Sequence, residues 1–314
     1  MRDRYAREFA AAAVLVLVLI VLGGVAPSFF TPANIRDLLL NNVATLIAAL
    51  GITLVLIAGH IDISIASQFA ICSVGACVAA RAGVPMLLVP PLVILGGCML
   101  GALNGKTVTG LGAPSIVVTL ATMISLRDAQ RWYTEGAWIH GLPANFQWLG
   151  LGQAGGGYFI IGSAALIAIA LAWALRHLAI GRQLFATGSN PEAARLAGIS
   201  TDAIITGVFV AMGAFTAVAA LLNAIRFSEV PGNPGAGLEL KAIAAAVVGG
   251  ASIRGGRATV IGTVIGVLLL GTIGTALTFL GINPFWEKAV QGAIILAAAV
   301  SEYAGQRSMK RAYA

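Results

Sequence analysis

Ten apolar blocks, at about 9–26, 41–58, 63–80, 84–105, 115–134, 158–175, 203–225, 239–253, 258–280 and 285–303, leave this chain little choice of solvent. Most are long enough to cross a hydrocarbon core of about 30 Å as helices. In lipid every backbone N–H and C=O must be satisfied within the protein, so continuous apolar runs predict helices. A transmembrane β-barrel would instead show alternating segments of about ten residues. The expectation is an all-α polytopic membrane helix bundle of about ten segments. Only 10% of residues are charged, against roughly 25% in a soluble domain.

The eighth block is too short. Twelve uncharged residues, Ala242 to Ile253, separate Lys241 from Arg254, a rise of roughly 18 Å. Either this segment is broken or re-entrant, or it spans with Glu239 and Lys241 at the interface. Half-helices of this kind occur where a transporter surrounds its pathway. At the N-terminus, Arg2, Arg4 and Arg7 followed by an apolar run and Gly24-Val25-Ala26 imitate a signal peptide. The uncharged stretch Phe9 to Phe30 is 22 residues long, however, and Pro27 makes a poor cleavage site, so a retained first span is expected.

The net charge of +7 is not a nucleic-acid footprint, because the basic residues cluster at the ends of apolar blocks. With the N-terminus in the cytoplasm, twelve of the nineteen Lys and Arg fall on cytoplasmic segments. The positive-inside rule then places both termini, and the tail 304–314, in the cytoplasm. It also makes cytoplasmic a polar island at 176–202 within a single membrane domain, 1–303. Two loops are expected outside, 135–157 and 226–238, the second offering Arg226, Glu229 and Asn233.

Within the island, Asn190 to Gly198 is a short helix with its own punctuation. Asn190 can cap the first turn, Pro191 suits the first position, Glu192 complements the positive dipole end and Gly198 supplies the stop. Elsewhere Gly97, Gly101 and Gly105 form a row on the fourth segment, and Gly262 and Gly266 repeat the spacing on the ninth. Such rows let helix backbones approach closely in lipid.

Other features count against chemistry. Gly101 to Thr107 imitates a phosphate-binding loop but has Leu100 where the motif needs glycine, and it emerges from an apolar helix. Cys72, Cys77 and Cys98 lack zinc or disulfide spacing and are expected to be packing residues. His60, His140 and His177 are scattered over different loops. Asp62, Glu239 and the Arg127-Asp128 pair lie near segment ends, where snorkelling or a local ion pair suffices. With no carboxylate clearly in mid-membrane, a secondary transporter or channel is the alternative rather than the leading reading, and no enzyme, resident cofactor or metal is expected.

Several stretches carry a resemblance. Gly59-His60-Ile61-Asp62-Ile63-Ser64, Asn104-Gly105, Pro114 to Leu120, Gly181 to Asn190 with Glu192 to Arg195, and Glu239 to Ala245 with Gly249 to Ser252 follow one another in order. Together they resemble the permease subunits of sugar-importing ABC transporters, the ribose, xylose and autoinducer-2 group. His60 and Ala121 stand where that family usually has glycine. The segments Trp138 to Pro143 and Val230 to Glu239 look most like autoinducer-2 and rhamnose permeases.

The resemblance implies a bacterial inner-membrane subunit that moves a small polyhydroxylated solute, a sugar, autoinducer-2 or rhamnose, into the cytoplasm by ATP-driven alternating access. Its implied partners are a second permease chain, identical or paralogous, two cytoplasmic ATPases that bind the ATP, and a periplasmic solute-binding protein. Coupling to the ATPase then falls to Gly181, Arg182, Asn190, Pro191, Glu192, Ala194, Arg195 and Gly198. The binding protein would meet Arg226, Glu229 and Asn233. Asn41, Asn42, Thr119, Thr122 and Asn223 are the expected lining of the solute path.

Overall fold

A computed structural model of the chain describes residues 6–283 together with 286, 288–290, 292–293 and 296. The tenth expected segment, 285–303, lies mostly outside the described residues, and Arg2, Arg4 and the tail 304–314 lie wholly outside them. The described elements are helical: α1 (Ala6–Val25), α2 (Pro32–Ile57), α3 (Ile65–Arg81), α4 (Val89–Leu111), α5 (Ser115–Thr134), α6 (Gly152–His177), α7 (Ala179–Ser189), α8 (Pro191–Leu196), α9 (Thr201–Ala224), α10 (Leu238–Val248) and α11 (Val260–Phe279). By length and composition α1, α2, α4, α6, α9 and α11 can each cross a membrane, and α3 is a shorter apolar helix. Six of the ten expected spans are therefore of full length and apolarity.

Boundaries follow local chemistry. Thr31 caps α2 by accepting from the Asn34 amide at 3.4 Å, with Pro32 at the first helical position. That cap starts α2 nine residues before the expected block. The extra turns carry Asn34, Arg36 and Asp37, polar residues that lie outside the expected block. α4 begins with prolines in its first turn and ends at Gly112 in the left-handed region (φ 61°). α10 has only 11 residues, a rise of about 16 Å, and irregular backbone follows to Thr259. The eighth segment is thus a short helix that carries Glu239 and Lys241 in its first turn and runs on as irregular backbone.

α2 forms the centre: everything from Ile47 to Ile57 is buried, against α9, α10, α11 and α6. α1 and α6 are mostly exposed and form the periphery. The most extensive helix pairing is α4 with α9, and the glycine row explains it. A Cβ on Gly101 would lie 2.8 Å from the Phe209 carbonyl carbon, and one on Gly105 would lie 2.9 Å from the Thr206 Cα. Gly266 of α11 likewise sits against Ala245 and Gly249, so the backbones of α10 and α11 nearly touch. The phosphate-loop imitation Gly101–Thr107 is continuous helix inside α4.

The contacts sort the connections to two ends of the bundle. At one, the first turn of α1 meets Gly250, whose Cβ would lie 3.5 Å from both Arg7 Cβ and Glu8 Cγ. The end of α2 and the polar island lie there too. At the other, the Phe29 and Phe279 rings pack edge-on at 5.5 Å, and Arg36 Nη2 donates to the Gln153 carbonyl at 2.5 Å.

Candidate functional site

The polar island folds as α7 and α8 joined at Asn190. Asn190 is extended (φ −157°) and its side chain accepts from the Ala193 amide at 3.0 Å, with Pro191 and Glu192 in the first turn. Gly198 adopts φ 82°, and the Ile199 amide returns to the Ala194 carbonyl at 3.0 Å. α8 is thus the capped helix expected from the sequence. Ala194 is buried beneath it. Arg195 is used internally, its Nε donating to Thr201 Oγ1 at 2.8 Å and its Nη2 pairing with Asp202 at 3.1 Å, which fixes α8 to the start of α9. α8 presents outward Glu192, Ala193 and Leu196, with the Arg195 side chain lying exposed along its edge. Leu196, 92% exposed, was not among the expected coupling residues.

α7 carries the island's attachment, which sequence reasoning missed. Leu184 and Thr187 are buried, and Gly181 packs on the backbone of Leu175. Arg182 Nη1 donates to the His177 carbonyl at 3.4 Å, beside the end of α6. At its far end Gly188 lies on the Ile57 backbone, with its Cβ position 2.9 Å from the Gly256 amide nitrogen. The Gly256 amide donates to the Ile57 carbonyl at 2.9 Å. A Cβ on Gly255 would be 2.6 Å from the Gly188 oxygen and 2.9 Å from the Gly59 Cα. Four glycines from three segments therefore join the island, the end of α2 and the segment after α10 through backbone alone.

The expected path residues separate into two groups. Thr119 accepts from the Ile63 amide at 3.2 Å, Ser115 from the Ile61 amide at 3.1 Å, and Thr122 donates to Asn104 Oδ1 at 2.7 Å. Asn104 Nδ2 and Gln68 Nε2 both donate to Ser64 Oγ, at 2.9 and 2.6 Å, and Ser64 donates in turn to Asp62 at 2.5 Å. This closed network pins the segment 59–64 to α4 and α5. Asp62 does not snorkel, contrary to the reading of it as an end residue. It is fully buried, and burial raises its pKa to about 6 against the opposing hydrogen bonds of Ser64 and Gln68. Glu239, by contrast, has the local partner expected of it, Arg127 at 3.7 Å.

Ser64→Ala removes the hub that three of these side chains share. Each buried polar group left without a partner costs about 1–3 kcal/mol, so the variant should melt well below the parent in detergent. Equal melting temperatures by intrinsic fluorescence would show that the network contributes nothing.

Asn41 and Asn42 lie instead in a cleft of about 430 Å³ between α2, α10 and α11. From α2 it is lined by Asn34, Asp37, Asn41, Asn42 and Thr45. From α10 comes Lys241, and from α11 come Gly271, Gly274, Thr275, Thr278 and Phe279. Asn223 stands half-buried at the end of α9, apart from both groups.

The two outer loops meet. Ile139 and Val230 exchange backbone hydrogen bonds at 2.8 and 3.2 Å, and Gln130 Nε2 donates to the Gly232 carbonyl at 2.8 Å. Glu229 pairs with His140 at 2.8 Å, both well exposed, and Asn233 is half-buried. Arg226 points inward: its Nη1 donates to the Leu40 carbonyl at 2.9 Å and its Nη2 to Asn41 Oδ1 at 2.8 Å. Exposed Trp132, Tyr133, Trp138 and Phe227 ring this end, as aromatic side chains do at a membrane–water boundary.

Residues 34–299 match the family described as branched-chain amino acid transport system / permease component. The chain is 33% identical over 290 residues to the autoinducer 2 import system permease protein LsrC of Yersinia pseudotuberculosis serotype O:1b (strain IP 31758), covering 92% of this chain and 83% of that protein. It is 32% identical over 313 residues to the protein of the same name from Salmonella typhi, covering 97% and 89% respectively. No solved structure matches the chain.

Proposed function

This chain belongs to the branched-chain amino acid transport system / permease component family, and on that premise we propose that it is the membrane subunit of an ATP-driven importer for autoinducer 2 or a closely related sugar such as rhamnose. Its relatives are import permeases, and its apolar helices agree with a multi-pass protein of the bacterial inner membrane. It works with a second permease chain, two ATPase subunits and a solute-binding protein outside the membrane. The polar-island end faces the cytoplasm on the positive-inside bias, and the joined outer loops, with Glu229 and Asn233, face the binding protein.

The observation that carries this reading is α8, a fully capped helix with its apolar tip Leu196 in solvent. It is fixed to α9 by Arg195 and joined through α7 to the end of α2. An ATPase that grips the exposed side, meeting Glu192 and Leu196, moves the island as a unit. The glycine junction passes that movement to α2 and to the segment after α10. A motor biases such a two-state system only by binding one state better than the other. The solute path runs past Asn41 and Asn42, with Asn223 at the outer end of α9. Thr119 and Thr122 act on it through the segment they clamp.

The test is uptake by the assembly in proteoliposomes, with ATP in the compartment that holds the ATPases and the binding protein on the other side. Autoinducer 2 should accumulate only with hydrolysable ATP. Uptake that continues without ATP and collapses with the ion gradient would replace this reading with a secondary transporter.

A further inference from the structure

We propose that the cleft between α2, α10 and α11 is a solute-holding site built within a single subunit, and that its ligand is a small molecule dense in hydroxyl groups. The proposal rests on the import reading and locates where one copy of the chain holds the solute.

The first observation is a polar stripe on an apolar helix. Asn34, Asp37, Asn41 and Thr45 recur at steps of three and four residues and so share one face of α2. Polar and ionisable groups in a membrane are costly and are retained where they face a water-filled cavity or a pathway. Asp37 and Asn41 are exposed, and both line the cleft. From Asn34 to Thr45 the stripe descends roughly 16 Å, about half of a hydrocarbon core of 30 Å.

The opposite wall is made to fit. Gly271, Gly274, Thr275 and Thr278 form a matching stripe of small residues on α11. A Cβ on Gly271 would lie 2.5 Å from the Asn42 carboxamide carbon. Glycine there lets the Asn42 amide lie flat against α11 at the wall, and the volume of about 430 Å³ falls in the range of small-molecule sites.

The hydrogen bonds already made decide what remains for a ligand. Arg226 occupies Asn41 Oδ1, which leaves the Asn41 amide N–H groups to donate. Asn42 Nδ2 is given to the Leu38 carbonyl at 2.7 Å, which leaves its oxygen to accept. The hydroxyl protons of Thr275 and Thr278 go to the Gly271 and Gly274 carbonyls, so these two also offer acceptor lone pairs. The walls thus offer both donors and acceptors, as a polyol requires, since each of its hydroxyls both gives and takes. Among the described residues Asp37 and Lys241 line the walls, and the Arg226 guanidinium borders the same space through Asn41, so charges of both signs stand around it. Phe279 supplies an apolar face at the outer end.

The test uses the assembled transporter with Cys72, Cys77 and Cys98 replaced by alanine and Thr275→Cys introduced. A hydrophilic, membrane-impermeant thiol reagent added on the binding-protein side should label this cysteine, and autoinducer 2, ribose or rhamnose should slow the labelling saturably. In parallel, Thr275→Val in the native background should raise the KM for uptake about tenfold, the effect of losing one net hydrogen bond. No labelling, as when the second permease chain or lipid seals the cleft, or labelling indifferent to all three solutes, overturns the proposal. An unchanged KM does so as well. Protection without any uptake by the parent assembly overturns the import reading alone, and uptake without protection overturns the cleft alone.

Discussion

Leucine at Gly101 should leave no folded permease to purify, whereas alanine at Gly110 on the same helix should be neutral or slightly stabilising. At Gly101 a single Cβ would already fall 2.8 Å from the Phe209 carbonyl carbon and 3.1 Å from the Val210 Cα. Both obstacles are backbone, which cannot swing aside as a side chain can. Neighbouring turns repeat the approach, with Gly97 against Gly213 and Gly105 against Thr206, so α4 and α9 would have to separate along their length. Lipid provides no hydrophobic drive to hold two helices together, and close packing is what remains. Overpacking commonly costs about 1–3 kcal/mol, and more where backbone must move, against a total stability of about 5–15 kcal/mol. Nothing lies within 4 Å of a Cβ at Gly110, and helix propensity there favours alanine. Size-exclusion profiles and melting temperatures in detergent would check both. Gly101→Leu melting with the parent would remove the close-approach account of this pair.

What the sequence made legible was local. Apolar runs had to become helices because lipid offers the backbone no other partner, and a cap such as Asn190 acts within three residues of itself, whereas the Thr31 cap that starts α2 nine residues early went unread. The long-range features left no such trace. α7 lacks a side-chain cap and is helical because Leu184 and Thr187 are buried against other segments, a tertiary effect. Ile139 and Val230 stand far apart in sequence, and nothing in either loop announces the other. Asp62 looked like a helix-end residue because its partners Ser64 and Gln68 are nearby but unremarkable, while Asn104, which completes the network, belongs to another helix. Arg226 looked like a loop charge open to a partner, and spacing alone could not show that it reaches back to Leu40 and Asn41. The polar stripe of α2 was visible in principle, since its period is that of a helix. Its meaning depended on α11, whose small face only the packed structure sets opposite it.

Two substitutions in the polar island should break import in different ways. Leu196→Glu alters a side chain that is 92% exposed, so the permease should fold and melt unchanged, yet the ATPase should no longer co-purify with it. Gly188→Val leaves the outward side of α8 untouched, so the ATPase should remain bound. There the Cβ would meet the Ile57 backbone and come within 2.9 Å of the Gly256 amide, and it would compete with the Gly256–Ile57 hydrogen bond that closes the junction. The island would have to lift away from α2 and from the segment after α10, the two elements whose other ends wall the polar cleft. Hydrolysis should therefore persist at its unstimulated rate while solute no longer accelerates it, and uptake should fall by more than about tenfold, the loss expected if roughly 1.4 kcal/mol of coupling disappears. If Gly188→Val imported solute normally, force would have to travel by another route, with Arg195 and the start of α9 the remaining connection. If Leu196→Glu kept its ATPase, the grip would rest on Glu192 and the backbone of α8 rather than on its apolar tip.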